Sequence, residues 1–240
     1  NCIEQLSNIE NKYEKIENKY EKIENKYEKI EKKYEKIEIK TMKDAGWLDF
    51  DYSVFAERFA ADEETVKKIY RKYIPYLSKY SKVLDLGCGK GYFLKLLKEN
   101  NIEGFGVDSD RELVKICKDN GFEVYCADLM EFLSECQDGS LEAIFMGHVI
   151  EHLPVNIKIK FLNICYKKLK KGGMLILETP NTTSVHVMHN LYYLDPTHQN
   201  PLLPEAYKHL AKIAGYSIVN SFLSDEISDI DNREYYNYSL

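Results

Sequence analysis

Gly87-Cys88-Gly89-Lys90-Gly91 follows directly on the apolar run 82–86, and no other junction in the chain narrows the possible folds so far. Glycines spaced in this way let a backbone turn sharply and approach a ligand where any Cβ would collide. Acids recur at matching places around it. Asp85 lies near the end of the first expected strand, Asp108 follows the second, 21 residues after Gly87, and Asp128 follows the third. An acid after the second strand suits a bidentate grip on a ribose diol, and ligands of doubly wound folds bind along this edge of the sheet. The carboxylate of Asp128 is placed to accept a hydrogen bond from an adenine amino group.

The periodicity around this loop alternates between two and 3.6. Strands are expected at 82–86, 103–107, 122–125, 143–146 and 174–177, with a late strand at 216–223. Helices are expected at 62–72, 92–100, 110–119 and 155–169. Alternation of this kind predicts an α/β, Rossmann-like domain with a mostly parallel sheet flanked by helices. It is expected to span 82–223, behind a helical lead-in at 42–81 and ahead of an acidic, tyrosine-rich tail at 224–240.

Residues 1–41 read differently. Residues 11–38 repeat NKYEKIE four times, the last copy beginning with Lys, and place Tyr13, Tyr20, Tyr27 and Tyr34 at a and Ile16, Ile23, Ile30 and Ile37 at d. The register extends back through Leu6 and Ile9 and fails near Asp44. Such a heptad run predicts a left-handed coiled coil. Lys at every g and Glu at every e attract between parallel helices and repel in the antiparallel arrangement, so a parallel homo-oligomer is expected, with dimer, trimer and tetramer all open.

With a net charge of −6 and one short basic run, 167–171, outside the repeat, the chain lacks the broad basic face that a phosphate backbone demands. No nucleic-acid partner is expected. No apolar run reaches membrane-spanning length. Six cysteines without a CxxC pair read as reduced thiols, which predicts a cytoplasmic protein. The chain begins at Asn and not Met, as a fragment of something longer would.

The stretches VLDLGCGKGYFL, GVDSD and ADLMEFL resemble the first motifs of class I S-adenosylmethionine-dependent methyltransferases. The resemblance implies S-adenosylmethionine as cofactor and S-adenosylhomocysteine as product. It implies that Asp85, Gly87, Cys88, Gly89, Gly91 and Tyr92 hold the amino-acid end, Asp108 and Ser109 the ribose, and Asp128 with Leu129 the adenine. Gly147 and His148 would pass under the methionine part. NAD is disfavoured because its fingerprint requires GxGxxG, and Tyr92 stands where the third glycine belongs. Many relatives carry an acid at the Tyr92 position.

Further likeness, strongest in DPTHQNPLLPE (195–205), is to methyltransferases of bacterial O-antigen and capsule glycan assembly, including chain terminators. It implies an O-methyltransferase acting on a sugar hydroxyl or terminal sugar phosphate of a glycan. The alternative acceptor is a small molecule of the quinone-precursor type, which predicts an enclosed apolar pocket. The candidates for chemistry are His148, Glu151, His152 and His198. A sugar hydroxyl benefits from a positioned base, and His suits that task near neutral pH. If helical, His148 and His152 would share a face with Glu151 beside them. Quinone-pathway and small-RNA O-methyltransferases hold a divalent cation with an E-x-x-E-H segment and a distant His. Here His148 replaces one carboxylate, so no metal is assigned and a metal-free base is preferred. Tyr192, Tyr193 and Asn181 are candidates for an acceptor pocket.

Overall fold

In the computed structural model, residues 61–222 are described, within a compact unit beginning at Ala61. The heptad repeat, most of the lead-in and the tyrosine-rich tail lie outside the described residues, as does Cys2.

The described chain runs α1 (Glu63–Tyr70), a 3-10 turn (Arg71–Tyr73), α2 (Ile74–Leu77), β1 (Lys82–Leu86), α3 (Tyr92–Glu99), β2 (Glu103–Asp108), α4 (Arg111–Asp119), β3 (Glu123–Cys126), α5 (Leu129–Glu135), β4 (Leu141–Gly147), α6 (Val155–Lys168), β5 (Leu169–Glu178) and α7 (Pro204–Ala214). The strands form a parallel sheet in the order β3-β2-β1-β4-β5. The direction of winding reverses between β1 and β4, which opens a crevice at their carboxyl ends.

Central parallel strands are buried on both faces, and successive residues point to opposite sides. Val83 of β1 with Ala143 and Phe145 of β4 packs under α1 to α4. Leu84 and Leu86 with Ile144 and Met146 pack under α5, α6 and α7. Asp85 therefore shares a face with Val83 and Phe145, and this polar group is buried where its neighbours are apolar. Three helices begin on aspartate caps. Asp62 accepts from the Thr65 backbone N–H, Asp110 from Glu112 and Leu113, and Asp128 from Met130 and Glu131. Such caps satisfy otherwise orphaned donors of the first turn. α1 is fastened to α3 through buried Lys67, whose Nζ meets Glu99 at 2.6 Å and Glu63 at 2.8 Å.

The late strand expected at 216–223 is not formed among the described residues. Gly215, at φ 109, ends α7 in the left-handed conformation. Tyr216 then turns its ring against Tyr166 of α6 and donates its hydroxyl to the Leu162 carbonyl, while Ile218 and Phe222 lie exposed. The alternating apolar pattern has no sheet face to cover. β5 starts five residues before the expected 174, because Leu169 already pairs with Leu141 and the Gly-Gly step is absorbed at a register shift. The expected helix at 62–72 gives way to the 3-10 turn after Tyr70. Among the described residues no helix is long and apolar enough to cross a membrane.

Candidate active site

The glycine loop is pinned to β2. Gly87 and Cys88 donate their backbone N–H groups to the Val107 carbonyl at 2.8 and 3.2 Å, and Gly89 donates to Asp108 Oδ2 at 2.8 Å. At Gly89, φ is 51° and open space lies where a side chain would stand, so backbone alone faces the crevice. Asp108 Oδ1 accepts from the Asp110 N–H at 2.9 Å. Each carboxylate oxygen keeps a second lone pair for a ligand.

Asp85, Gly87, Cys88, Gly89, Tyr92 and Gly147 line one cavity of about 150 Å³ with Val66, Tyr70, Phe93 and Phe145. Oδ2 of Asp85 is buried there without a hydrogen-bond partner among the described residues, and burial, followed by the charge of Asp108, pushes its carboxyl well above the usual range. A buried acid left in this way fits the ammonium of a bound amino acid, which would satisfy the oxygen and offset the charge. Asp128 uses Oδ1 in its cap and leaves Oδ2 outside that cap. Ser109 and Asp128 are exposed and Leu129 half-buried along the same edge, beyond the cavity, and Gly91 stands behind the loop against Cys117. Val66, Tyr70, Phe93 and Phe145 went unnoticed in the sequence because each reads as an ordinary core residue.

A second cluster follows β4. His148 takes a left-handed backbone, φ 55°, and donates its N–H to the Glu178 carbonyl at 2.9 Å. It is not helical, which corrects the shared face expected of His148 and His152; the chain turns first and only then makes the 3-10 turn Ile150–His152. His148 Nδ1 meets Glu151 Oε1 at 3.2 Å, with His148 about half exposed and Glu151 buried. Thr179 donates to Glu151 Oε2 at 3.3 Å. Burial acts to raise the Glu151 carboxyl, but the His148 hydrogen bond and the nearby imidazoles outweigh it and the net shift is downward.

The loop 195–200 brings the distant histidine home. His198 and His152 rings lie 4.7 Å apart, and Gln199 donates its N–H to the Glu151 carbonyl at 2.7 Å. Buried Lys158 holds this loop by donating to the Gln199 and Asn200 carbonyls at 2.7 and 2.8 Å. The partners fix a proton on one nitrogen of each ring. His198 Nδ1 faces the Tyr192 carbonyl at 2.5 Å; a carbonyl only accepts, so Nδ1 carries a proton, while Nε2 lies 3.9 Å from Asp195 Oδ2. Thr197 spends its one hydroxyl proton on Asp195 Oδ1 at 2.6 Å, so its oxygen accepts from His152 Nδ1 at 2.7 Å. Burial pushes the His152 imidazole down. One donor atom each from Glu151, His152 and His198 lies within 4.8 Å of the others. Two imidazoles oriented from behind and one carboxylate form a set that could hold a divalent ion.

Tyr192 is core, its ring 4.7 Å from that of His198. Tyr193 is exposed and lines an open hollow of about 390 Å³ with Thr182, Val185, Met188 and His189; Asn181, named with the tyrosines, is not among its lining residues.

Residues 56–221 match a family model described as a methyltransferase domain. A SAM-dependent methyltransferase from Archaeoglobus fulgidus is 33% identical with a TM-score of 0.64, covering 77% of this chain and 90% of that one. Ubiquinone biosynthesis O-methyltransferase from Xanthomonas oryzae pv. oryzae is 32% identical over 108 residues, 43% of this chain and 44% of that protein. The match thus spans less than half the length of such curated relatives. The [4+2]-cyclase SpnF, at 18% identity and a TM-score of 0.54 over 67% of this chain and 63% of that one, shares the fold alone. None of these three is a polysaccharide methyltransferase by name. The chain belongs to the methyltransferase-domain family and is an S-adenosylmethionine-dependent methyltransferase.

Proposed function

We propose that this methyltransferase methylates a hydroxyl of a small molecule of the quinone-precursor type, with the acceptor oxygen bound at Glu151, His152 and His198. The observation that carries the reading is the convergence of one donor atom from each of these residues within 4.8 Å. The name of the Xanthomonas relatives supports the same direction. It also moves the reading away from the glycan acceptor that the 195–205 stretch suggests.

S-Adenosylmethionine supplies an electrophilic methyl group on a sulfonium. The chain's own part is placement. Asp85 receives the ammonium, Gly87, Cys88, Gly89 and Tyr92 line its backbone cradle with Gly91 turning the chain behind them, Asp108 and Ser109 take the ribose, and Asp128 with Leu129 borders the adenine. Gly147 and His148 carry the floor of the site towards the acceptor. Such positioning of two reactants is worth several orders of magnitude in rate. A divalent ion held by Glu151, His152 and His198 would act as a Lewis acid towards a bound hydroxyl. Two imidazoles with one carboxylate favour a borderline transition ion over Mg²⁺. His148, paired with Glu151 and half exposed, stands ready to take the hydroxyl proton.

One observation keeps a glycan as the second reading. The hollow beside Tyr193 is open, as an extended chain requires, and not enclosed. The test is methylation of a catechol by the intact protein, with His152→Ala and His198→Ala compared by calorimetry and turnover. Both variants are expected to bind S-adenosylmethionine as the parent does while turnover falls at least about a hundredfold, the scale of a lost acid–base or Lewis-acid group. Unchanged turnover in both would remove the cluster from the chemistry.

A further inference from the structure

Tyr70 lines the cofactor cavity from a different part of the chain. It comes from α1, outside the glycine loop and the strand ends, and it is 8% exposed. It shares the cavity wall with Asp85, Phe93, Phe145 and Gly147. Packing fixes its ring. The Phe145 centroid lies 4.9 Å away and the Phe93 centroid 5.6 Å away, both edge-on. The hydroxyl lies against Gly147, where any added Cβ would overlap it. This contact explains why β4 ends on a glycine without a positive φ.

The placement matters because Gly147 joins two halves of the site. It lines the cofactor cavity, and the next residue is His148, at the head of the acceptor-side cluster. A methyl group passing from one half to the other must leave the cavity at the Gly147 end. A sulfonium at that end would lie beside the Tyr70 ring and hydroxyl.

The electrostatics of that end favour a cation. The hydroxyl is held protonated, by burial first and then by its acidic neighbours. Lys72, 3.4 Å from Glu178, ties the turn after α1 to the end of β5 and so holds Tyr70 over the cavity. An aromatic ring and a hydroxyl dipole attract a positive sulfur and give no such gain to a neutral one.

We propose that Tyr70 closes the cofactor cavity over its sulfonium end and makes that end selective for the charged methyl donor over the neutral thioether product. Loss of the methyl group removes the positive charge, so the same residues that hold the donor release the product. The proposal depends on the cofactor and not on which acceptor is methylated.

The test is calorimetry on the full chain with S-adenosylmethionine and S-adenosylhomocysteine as separate ligands. Tyr70→Leu is expected to weaken the donor about fivefold more than the product, the scale of a partly desolvated cation–ring contact. Tyr70→Phe keeps the ring and the packing and is expected to shift the donor-to-product ratio in the same direction by about twofold, through loss of the hydroxyl dipole. Equal weakening of both ligands in Tyr70→Leu would make the residue mere packing and overturn the proposal. If Tyr70→Leu does not fold, an unchanged ratio in Tyr70→Phe overturns it.

Discussion

Gly89 donates its backbone N–H to Asp108 Oδ2 at 2.8 Å, so the loop after β1 and the acid that ends β2 form one unit before any ligand arrives. The acid orders the loop, and the loop aims the acid. Replacing Asp108 by Ala removes a ribose acceptor and the loop's anchor together. Cofactor affinity is expected to fall by about 1–3 kcal/mol, the range for a lost charge-assisted hydrogen bond. Asp108→Asn, which turns one acceptor into a donor facing an N–H, is expected to lose nearly as much. Calorimetry checks both, and wild-type affinity in Asp108→Ala would mean the acid is misassigned.

Lys158 positions the far half of the acceptor cluster. Its fully buried ammonium is held by two carbonyls of the loop that carries His198. Lys158→Met leaves the Gln199 and Asn200 carbonyls without this donor. A loss of about 2 kcal/mol in unfolding free energy is expected, since hydrogen bonds to charged groups are worth roughly 1.5–3 kcal/mol each and part is regained by no longer burying the charge. Affinity for Zn²⁺ is expected to fall in the same variant, as the loop is released. Denaturant unfolding and metal titration measure the two effects, and an unaltered midpoint would show that the loop needs no such strap.

Glu142 gives the fold a dependence on acid. Its carboxylate takes a hydrogen bond from Lys170 Nζ at 2.8 Å and from the Ser81 N–H at 2.7 Å, and these hold its pKa down from 4.5 to about 2. A depressed carboxylate contributes stability that is present in full above the unfolded value and is lost as the pH falls through the folded one. Wild type and Glu142→Gln are therefore expected to differ most above about pH 5 and to converge towards pH 2. Thermal midpoints across that range decide it; a constant gap would place the effect outside titration.

Much of the sheet was legible because buried parallel strands are short apolar runs bounded by glycine or acid. The strands at 82–86, 103–107, 122–125 and 143–146 stand within two residues of the observed bounds. The glycine loop announced itself by composition. α7 did not, since Pro204, which opens it, sits in a proline-rich stretch that reads as loop. The 216–223 alternation misled because pattern alone does not tell whether a sheet edge will accept another strand. Tyr70 was invisible for a different reason. It lies 15 residues before Asp85, and only the packing of α1 over Gly147 brings the two into one cavity. The histidine cluster was readable by residue type, but its geometry was not. The left-handed turn at His148 and the Asp195–Thr197–His152 relay that sets a tautomer are properties of the folded loops.

Transfer of a methyl group to a hydroxyl of a small acceptor is the central expectation. The most direct measurement supplies the intact protein with S-adenosylmethionine labelled in the methyl group, Zn²⁺ or Mn²⁺, a substituted catechol and, in parallel, a bacterial polysaccharide. Mass spectrometry then locates the label. A labelled methyl ether on the catechol is expected, formed by the parent protein and lost with His152→Ala. Label found only on the polysaccharide, or on nitrogen or carbon of the small acceptor, would contradict it.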